Sequence, residues 1–127
     1  SAKENMRALS ALLHKPDDAQ ISMLLQKVGL QPDERKPVAQ YSTGMKQRLS
    51  IAMAMLDAPK LLLLDEPMSN MDVSGASEMR RLFRNLSNEG TTLIIATHIA
   101  EDVEQLCNVV YRIREGEIIQ DGNKMMG

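Results

Sequence analysis

The sequence is poor in cysteine, in aromatic residues and in charge of one sign. Cys107 is the only cysteine, so an internal disulfide is excluded and a reducing compartment is indicated. There is no Trp, and aromatic residues make up 2% of the chain. A core must therefore be filled by Leu, Ile, Val, Ala and the ten methionines, which serve as adaptable filler rather than as a binding surface. No apolar run approaches the roughly 20 residues that span a bilayer as a helix. Lys3, Glu4 and Arg7 interrupt the opening stretch, which excludes a signal-peptide pattern there. The formal net charge is −2 with no long single-sign run, which argues against bare nucleic acid as a partner. Repeats and low-complexity segments are absent. What is present, 127 residues with 43% hydrophobic and 25% charged, suffices for one domain of ordinary size.

The pattern up to about Leu30 predicts two helices. Met6, Leu9 and Leu13 lie near one face of the first, and His14-Lys15-Pro16 ends it. His14 reads as a surface or helix-end residue. Asp17 or Asp18 caps the second helix, where Ile21, Leu24, Leu25 and Val28 follow an i, i+3, i+4, i+7 pattern and Gly29 supplies a stop. Gln31 to Tyr41 is polar and reads as a loop. Ser42-Thr43-Gly44 opens a third helix, with Ser42 or Thr43 as N-cap. Met45, Leu49, Ala52, Met53 and Leu56 form its apolar face, and Lys46, Gln47 and Arg48 lie elsewhere.

The chain is organised around Leu61-Leu62-Leu63-Leu64-Asp65-Glu66-Pro67. Four leucines in succession suit a strand buried on both faces of a parallel sheet, and Pro67 stops its ladder. Open α/β sheets bind ligands at the carboxyl ends of their strands. Asp65 and Glu66, delivered there, suit a Mg²⁺ ligand and a water-activating base; as a plain alternative they are turn residues or helix caps. A turn-rich loop follows, then a helix capped by Ser74 with Met79, Leu82, Phe83 and Leu86 buried and Gly90 as stop. Thr92 to Ala96 is a second buried-strand pattern. The strand–helix–strand order predicts a βαβ unit with parallel strands. Thr97 and His98 end the second strand. A short helix carries Ile99, Val103 and Leu106, with Cys107 as a core thiol. Val109–Arg114 and Glu117–Gln120, joined by Glu115-Gly116, predict a hairpin with one solvated face.

Four signals thus stand in order: Tyr41-Ser42-Thr43-Gly44-Met45-Lys46-Gln47-Arg48-Leu49 opening a helix, Leu61–Pro67, the loop Ser69-Asn70-Met71-Asp72, and Thr97-His98. Together they resemble the signature sequence, Walker B strand with catalytic glutamate, D-loop and H-loop of the ATP-binding cassette (ABC) ATPases. The resemblance runs from near the start of the chain to about Gly122. It implies an α/β, P-loop NTPase-like fold with a helical subdomain at 1–58, including the signature helix, and the C-terminal part of the ATPase core at 59–127. It implies ATP and Mg²⁺ as cofactors. Ser42, Thr43, Gly44 and Met45 would grip the γ-phosphate held by the opposite subunit of a head-to-tail dimer, at a helix N-terminus suited to phosphate. Asp65 would hold Mg²⁺ through water, Glu66 would act on the attacking water, and His98 would contact the γ-phosphate. Ser69 and Asp72 would lie at the dimer contact.

The sequence departs from the family pattern in two places. The signature reads Tyr-Ser-Thr-Gly-Met where Leu-Ser-Gly-Gly-Gln is usual, a form similar to exporters of the bacitracin- and lantibiotic-resistance type. The D-loop, Ser-Asn-Met-Asp, lacks the commoner middle residues. No Gly-x-x-x-x-Gly-Lys-Ser/Thr occurs in the chain. The resemblance therefore implies the C-terminal part of a cassette, its P-loop half missing, taken from an ATPase subunit that works with a membrane permease at the cytoplasmic face of the cell membrane. By itself such a part is expected to be inactive and to leave an apolar sheet edge uncovered. The alternatives are a soluble ABC-type ATPase of DNA repair or translation, and a non-catalytic interaction module that kept part of the fold.

Overall fold

A computed structural model describes residues 1–13 and 17–123. The expectation for His14 lies outside these. The chain divides into two compact units, residues 1–96 and 97–127. This division falls later than the 58/59 boundary drawn from the motifs.

The first unit begins with three helices that pack on one another: α1 (Ala2–Leu13), α2 (Asp18–Lys27) and α3 (Thr43–Ala54). In α1 the buried positions are Ala2, Met6 and Ser10, one per turn. Leu13 shares this face by helical angle, but as the last residue of α1 it lies at the end of the stripe and is exposed. Asp17 caps α2, its carboxylate accepting from the backbone of Ala19 (3.0 Å) and Gln20 (3.2 Å). Ile21, Leu24, Leu25 and Val28 are buried as the periodicity predicts. Gly29 ends the helix at φ +81°. The Gly29 N–H bonds the Gln26 carbonyl (3.0 Å) and the Leu30 N–H bonds the Leu25 carbonyl (2.9 Å), the paired closure of a Schellman motif. The loop before α3 contains a 3₁₀ turn at Val38–Gln40 and tucks Tyr41 into the core, which its polar sequence did not announce.

The strands β1 (Leu61–Asp65) and β2 (Thr92–Ala96) pair in parallel, in register from Leu61–Thr92 to Asp65–Ala96. The helix α4 (Val73–Asn88) joins them and packs against β2. It is capped by Asp72, whose carboxylate accepts from the Gly75 N–H at 2.7 Å, and not by Ser74, which falls inside the first turn. Met79, Leu82 and Phe83 are buried on it, each contributing on the order of 1.5–3 kcal/mol of hydrophobic stabilisation. A second Schellman closure, Gly90 N–H to Ser87 (3.1 Å) and Thr91 N–H to Leu86 (2.9 Å), turns the chain into β2.

The expectation that β1 is buried on both faces is corrected. Leu62 and Leu64 are buried, but Leu61 (49% exposed) and Leu63 (70%) face outward, as does Ile94 (56%) beside Leu63 on β2. A run of four leucines satisfies a strand covered on one side as well as one covered on two.

The second unit holds a short helix, α5 (Ala100–Leu106), and an antiparallel hairpin of β3 (Val109–Arg114) and β4 (Glu117–Asn123). Glu115 (φ +51°) and Gly116 (φ +81°) make the turn, both left-handed as a two-residue type I′ hairpin requires. Tyr111, Ile113, Ile118 and Ile119 are exposed, so apolar side chains stand open here rather than on one covered face. Cys107 is half-buried, not a fully enclosed core thiol.

Candidate functional site

The acids at the end of β1 are held by the backbone around them. Asp65 is the last paired residue of β1 and its side chain is exposed. The Glu66 N–H adds one more bond along the ladder, to the Ala96 carbonyl at 2.7 Å. Glu66 itself sits at φ +46°, a left-handed conformation that costs a residue with a Cβ about 1–2 kcal/mol. Its neighbour Pro67 restricts it further, since a residue before proline favours extended backbone. Such strain persists only where the surroundings over-determine it, and it clusters at functional sites.

The surroundings can be named. The Glu66 carbonyl accepts three hydrogen bonds: from the Ser69 N–H (3.3 Å), the Ser69 hydroxyl (3.0 Å) and the Gln47 carboxamide (2.9 Å). The loop beyond is anchored by Pro67 and Met68, both buried, and by a turn from the Met71 N–H to the Met68 carbonyl (3.2 Å). Asn70 donates to the Gln47 side-chain oxygen at 3.4 Å.

The start of α3 lies against this same loop. Ser42 is its N-cap, with its hydroxyl oxygen accepting from the Met45 N–H at 3.1 Å. Ser42 and Thr43 are exposed, and Gly44 and Met45 are half-buried. A Cβ at Gly44 would stand 3.1 Å from the Asn70 carbonyl oxygen, so the absence of a side chain admits the loop close to the helix. The structure thus brings Ser42–Met45, Glu66, Ser69 and Asn70 into one connected assembly, with Asp65 next to Glu66 in the chain. Asp72 stands at its edge, its carboxylate engaged as the cap of α4.

His98 belongs to the second unit. It is exposed and sits inside a turn closed by Thr97, whose hydroxyl oxygen accepts from the Ile99 N–H at 3.0 Å.

Gln47 and Arg48 were read from the sequence only as residues off the apolar face; both are half-buried and make long-range contacts. Arg48 donates from Nη1 to the Val28 carbonyl at the end of α2 (2.7 Å) and pairs with Glu78 of α4 at 3.2 Å. The signal was present in α3 itself. Leu49, Ile51, Ala52, Met55 and Leu56 are buried over a wide arc, and only the narrow stripe Thr43, Lys46, Ser50 and Ala54 is exposed. Polar residues outside so narrow a stripe must find partners inside the fold.

Asp65, an exposed carboxylate at a strand's end, could serve as a ligand to a hard cation that keeps most of its waters. Exposed hydroxyls at the start of α3, with N–H groups of the first turn, fit a phosphate oxygen.

Parallel strands joined by a helix, acids at the strand's carboxyl end and a capped helix beside them make a βαβ arrangement of the α/β class, with the candidate site at the strand ends where such sheets bind ligands. A chain of a solved ABC transporter, described as of metal-chelate type and in an inward-facing conformation, superposes with a TM-score of 0.80 at 21% identity, over 97% of this chain and 52% of that one. The ABC transporter family profile matches residues 1–69, and the chain belongs to that family. Among its relatives is the lantibiotic transport ATP-binding protein SrtF of Streptococcus pyogenes, 42% identical over 119 residues, 94% of this chain and 52% of SrtF. The bacitracin transport ATP-binding protein BcrA is 39% identical in Enterococcus faecalis, over 94% of this chain and 39% of BcrA. In Bacillus licheniformis it is 40% identical, over 95% of this chain and 40% of BcrA. The chain spans about half the length of SrtF and less of BcrA. No helix among the described residues is long and apolar enough to cross a membrane.

Proposed function

We propose that this chain is the C-terminal part of an ATP-hydrolysing subunit of an exporter, one that handles peptide antibiotics of the lantibiotic or bacitracin kind. Residues 1–58 form its helical subdomain and 59–127 the end of its ATPase core. The observation that carries the reading is the acid pair at the end of β1, with Glu66 held in a left-handed conformation and tied to the helix that starts at Ser42. Names of the relatives, lantibiotic and bacitracin transport ATP-binding proteins, support the class of cargo.

In this reading Asp65 would hold Mg²⁺ through water, and the ion when bound would supply positive charge to the transferring phosphate. Glu66 orients the attacking water and accepts its proton. Ser42, Thr43, Gly44 and Met45 present N–H groups and hydroxyls to the γ-phosphate of ATP carried by the opposite subunit of a head-to-tail dimer. His98 contacts the same phosphate, and Ser69 and Asp72 lie at the dimer contact. A membrane permease is the second partner, with the subunit at the inner face of the membrane. The phosphate loop and its Lys come from sequence outside this chain, so the chain alone is inactive.

The test is ATP turnover. The full-length gene product hydrolyses ATP in the presence of Mg²⁺, and Glu66→Gln lowers kcat by at least about 100-fold, in the range for loss of a general base. The 127-residue chain alone shows no turnover above buffer. Turnover by the chain alone that depends on Mg²⁺ and on Glu66 refutes the division of labour; a full-length protein that binds no nucleotide refutes the function.

A further inference from the structure

We propose that Gln47 is a positioning residue that fixes the orientation of Glu66. This rests on the reading of Glu66 as the residue that acts on water. Gln47 acts through the backbone of Glu66. Its carboxamide nitrogen donates to the Glu66 carbonyl at 2.9 Å, across 19 residues of sequence. Ser69 supplies the other two donors to that carbonyl, and both are local, three residues away. Gln47 is therefore the one long-range donor among the hydrogen bonds described at this oxygen.

The geometry explains why such a donor is needed. Glu66 has φ +46° and precedes Pro67, and both facts oppose the conformation it adopts. Rotating Glu66 about its N–Cα bond to a negative φ would relax it, and that rotation would carry its carbonyl and its side chain away from their present directions together. Three donors aimed at one carbonyl resist that rotation. The carboxamide of Gln47 is itself oriented, because its oxygen accepts from Asn70 at 3.4 Å. The Asn70 carbonyl in turn sits where a Cβ on Gly44 would be 3.1 Å away. A continuous path runs from the first turn of α3 through Asn70 and Gln47 to the backbone of Glu66. The helix end that faces phosphate and the acid that faces water are thereby set relative to each other within one chain.

The test uses the full-length gene product with Gln47→Glu, which has the same shape but cannot donate, Gln47→Met, which has neither donor nor acceptor, and Gln47→Lys, which keeps a donor. Two readouts are taken: hydrogen exchange of the segment 66–71 without nucleotide, and steady-state ATP turnover. Gln47→Glu and Gln47→Met raise exchange in 66–71 by about tenfold, the scale of one hydrogen bond, and leave α1 and α2 unchanged. They lower kcat by about tenfold or more with KM for ATP within about twofold, as for an interaction made only in the transition state. Gln47→Lys recovers most of both. Unchanged exchange at 66–71 in the Glu and Met variants overturns the proposal. Raised exchange with normal kcat also overturns it, leaving Gln47 a structural residue only. A wild-type protein without turnover counts against the proposed function, and the exchange readout then decides alone whether Gln47 sets the backbone of Glu66.

Discussion

Arg48 joins three helices through one guanidinium, and its removal should change what a neighbouring glycine tolerates. Its side chain is 18% exposed, bonded to the Val28 carbonyl at 2.7 Å and paired with Glu78, which is half exposed. A charge-assisted hydrogen bond contributes about 1.5–3 kcal/mol and a partly solvated ion pair about 0–1 kcal/mol. Arg48→Met should therefore destabilise the fold by about 2–3 kcal/mol, most of it from the orphaned carbonyl at the end of α2. Gly29 lies directly under the same guanidinium. A Cβ there would collide with Nη1 while the backbone is held at φ +81°. Gly29→Ala thus meets two penalties, left-handed strain of about 1–2 kcal/mol and a steric clash with an anchored cation. In the Arg48→Met background only the strain remains. The double-mutant cycle should show a coupling of at least about 1 kcal/mol, well outside the scatter of about 0.3–0.5 kcal/mol for independent sites. Gly90→Ala is the control: Gly90 has φ +103° and open space around it, so it reports strain alone and should not couple to Arg48. Urea unfolding followed by far-ultraviolet circular dichroism measures all of these, since the chain has no Trp to follow. Additivity of Gly29→Ala with Arg48→Met would refute the placement of the guanidinium over the glycine.

Two further outcomes follow from the same unit. Asp17→Ala removes the acceptor for two N–H groups of α2 and should cost about 1 kcal/mol, measurable in the same unfolding experiment, whereas Asp17→Asn should cost little. Leu63→Lys or Ile94→Lys places a charge on the open face of β1 and β2; the sedimentation coefficient of the 127-residue chain should shift towards the monomer, and an unchanged distribution would mean that this face does not drive association.

Local grammar carried much of the fold. The two Schellman closures were legible from Gly29 and Gly90, the span of β2 from Thr92–Ala96, and the acid pair from the leucines that precede it, because each depends on residues within one turn or one strand. The misses share a cause. Whether Leu61 and Leu63 are covered depends on what lies across the sheet, and a strand's own composition does not carry that information. Asp72 rather than Ser74 caps α4 because both are competent caps two residues apart, and the backbone turn decides between them. Gln47 and Arg48 find their partners 19 to 30 residues away, so neither spacing nor propensity points to Glu66 or Glu78. Their half-burial was latent in the breadth of the apolar arc of α3. The left-handed backbone at Glu66 was not legible either, since glutamate is no cue for φ above zero.

The parallel pairing of β1 with β2 also sets an order of events during synthesis. A parallel ladder cannot close until the crossover helix has been made, so Leu61 to Leu64 leave the ribosome before Thr92 to Ala96 emerge to pair with them. At about 5–20 residues per second, that interval lasts on the order of 1–6 s. Throughout it the leucine strand waits for β2, its partner among the described residues. Slow translation through α4 would lengthen the wait of these leucines for their β2 partner.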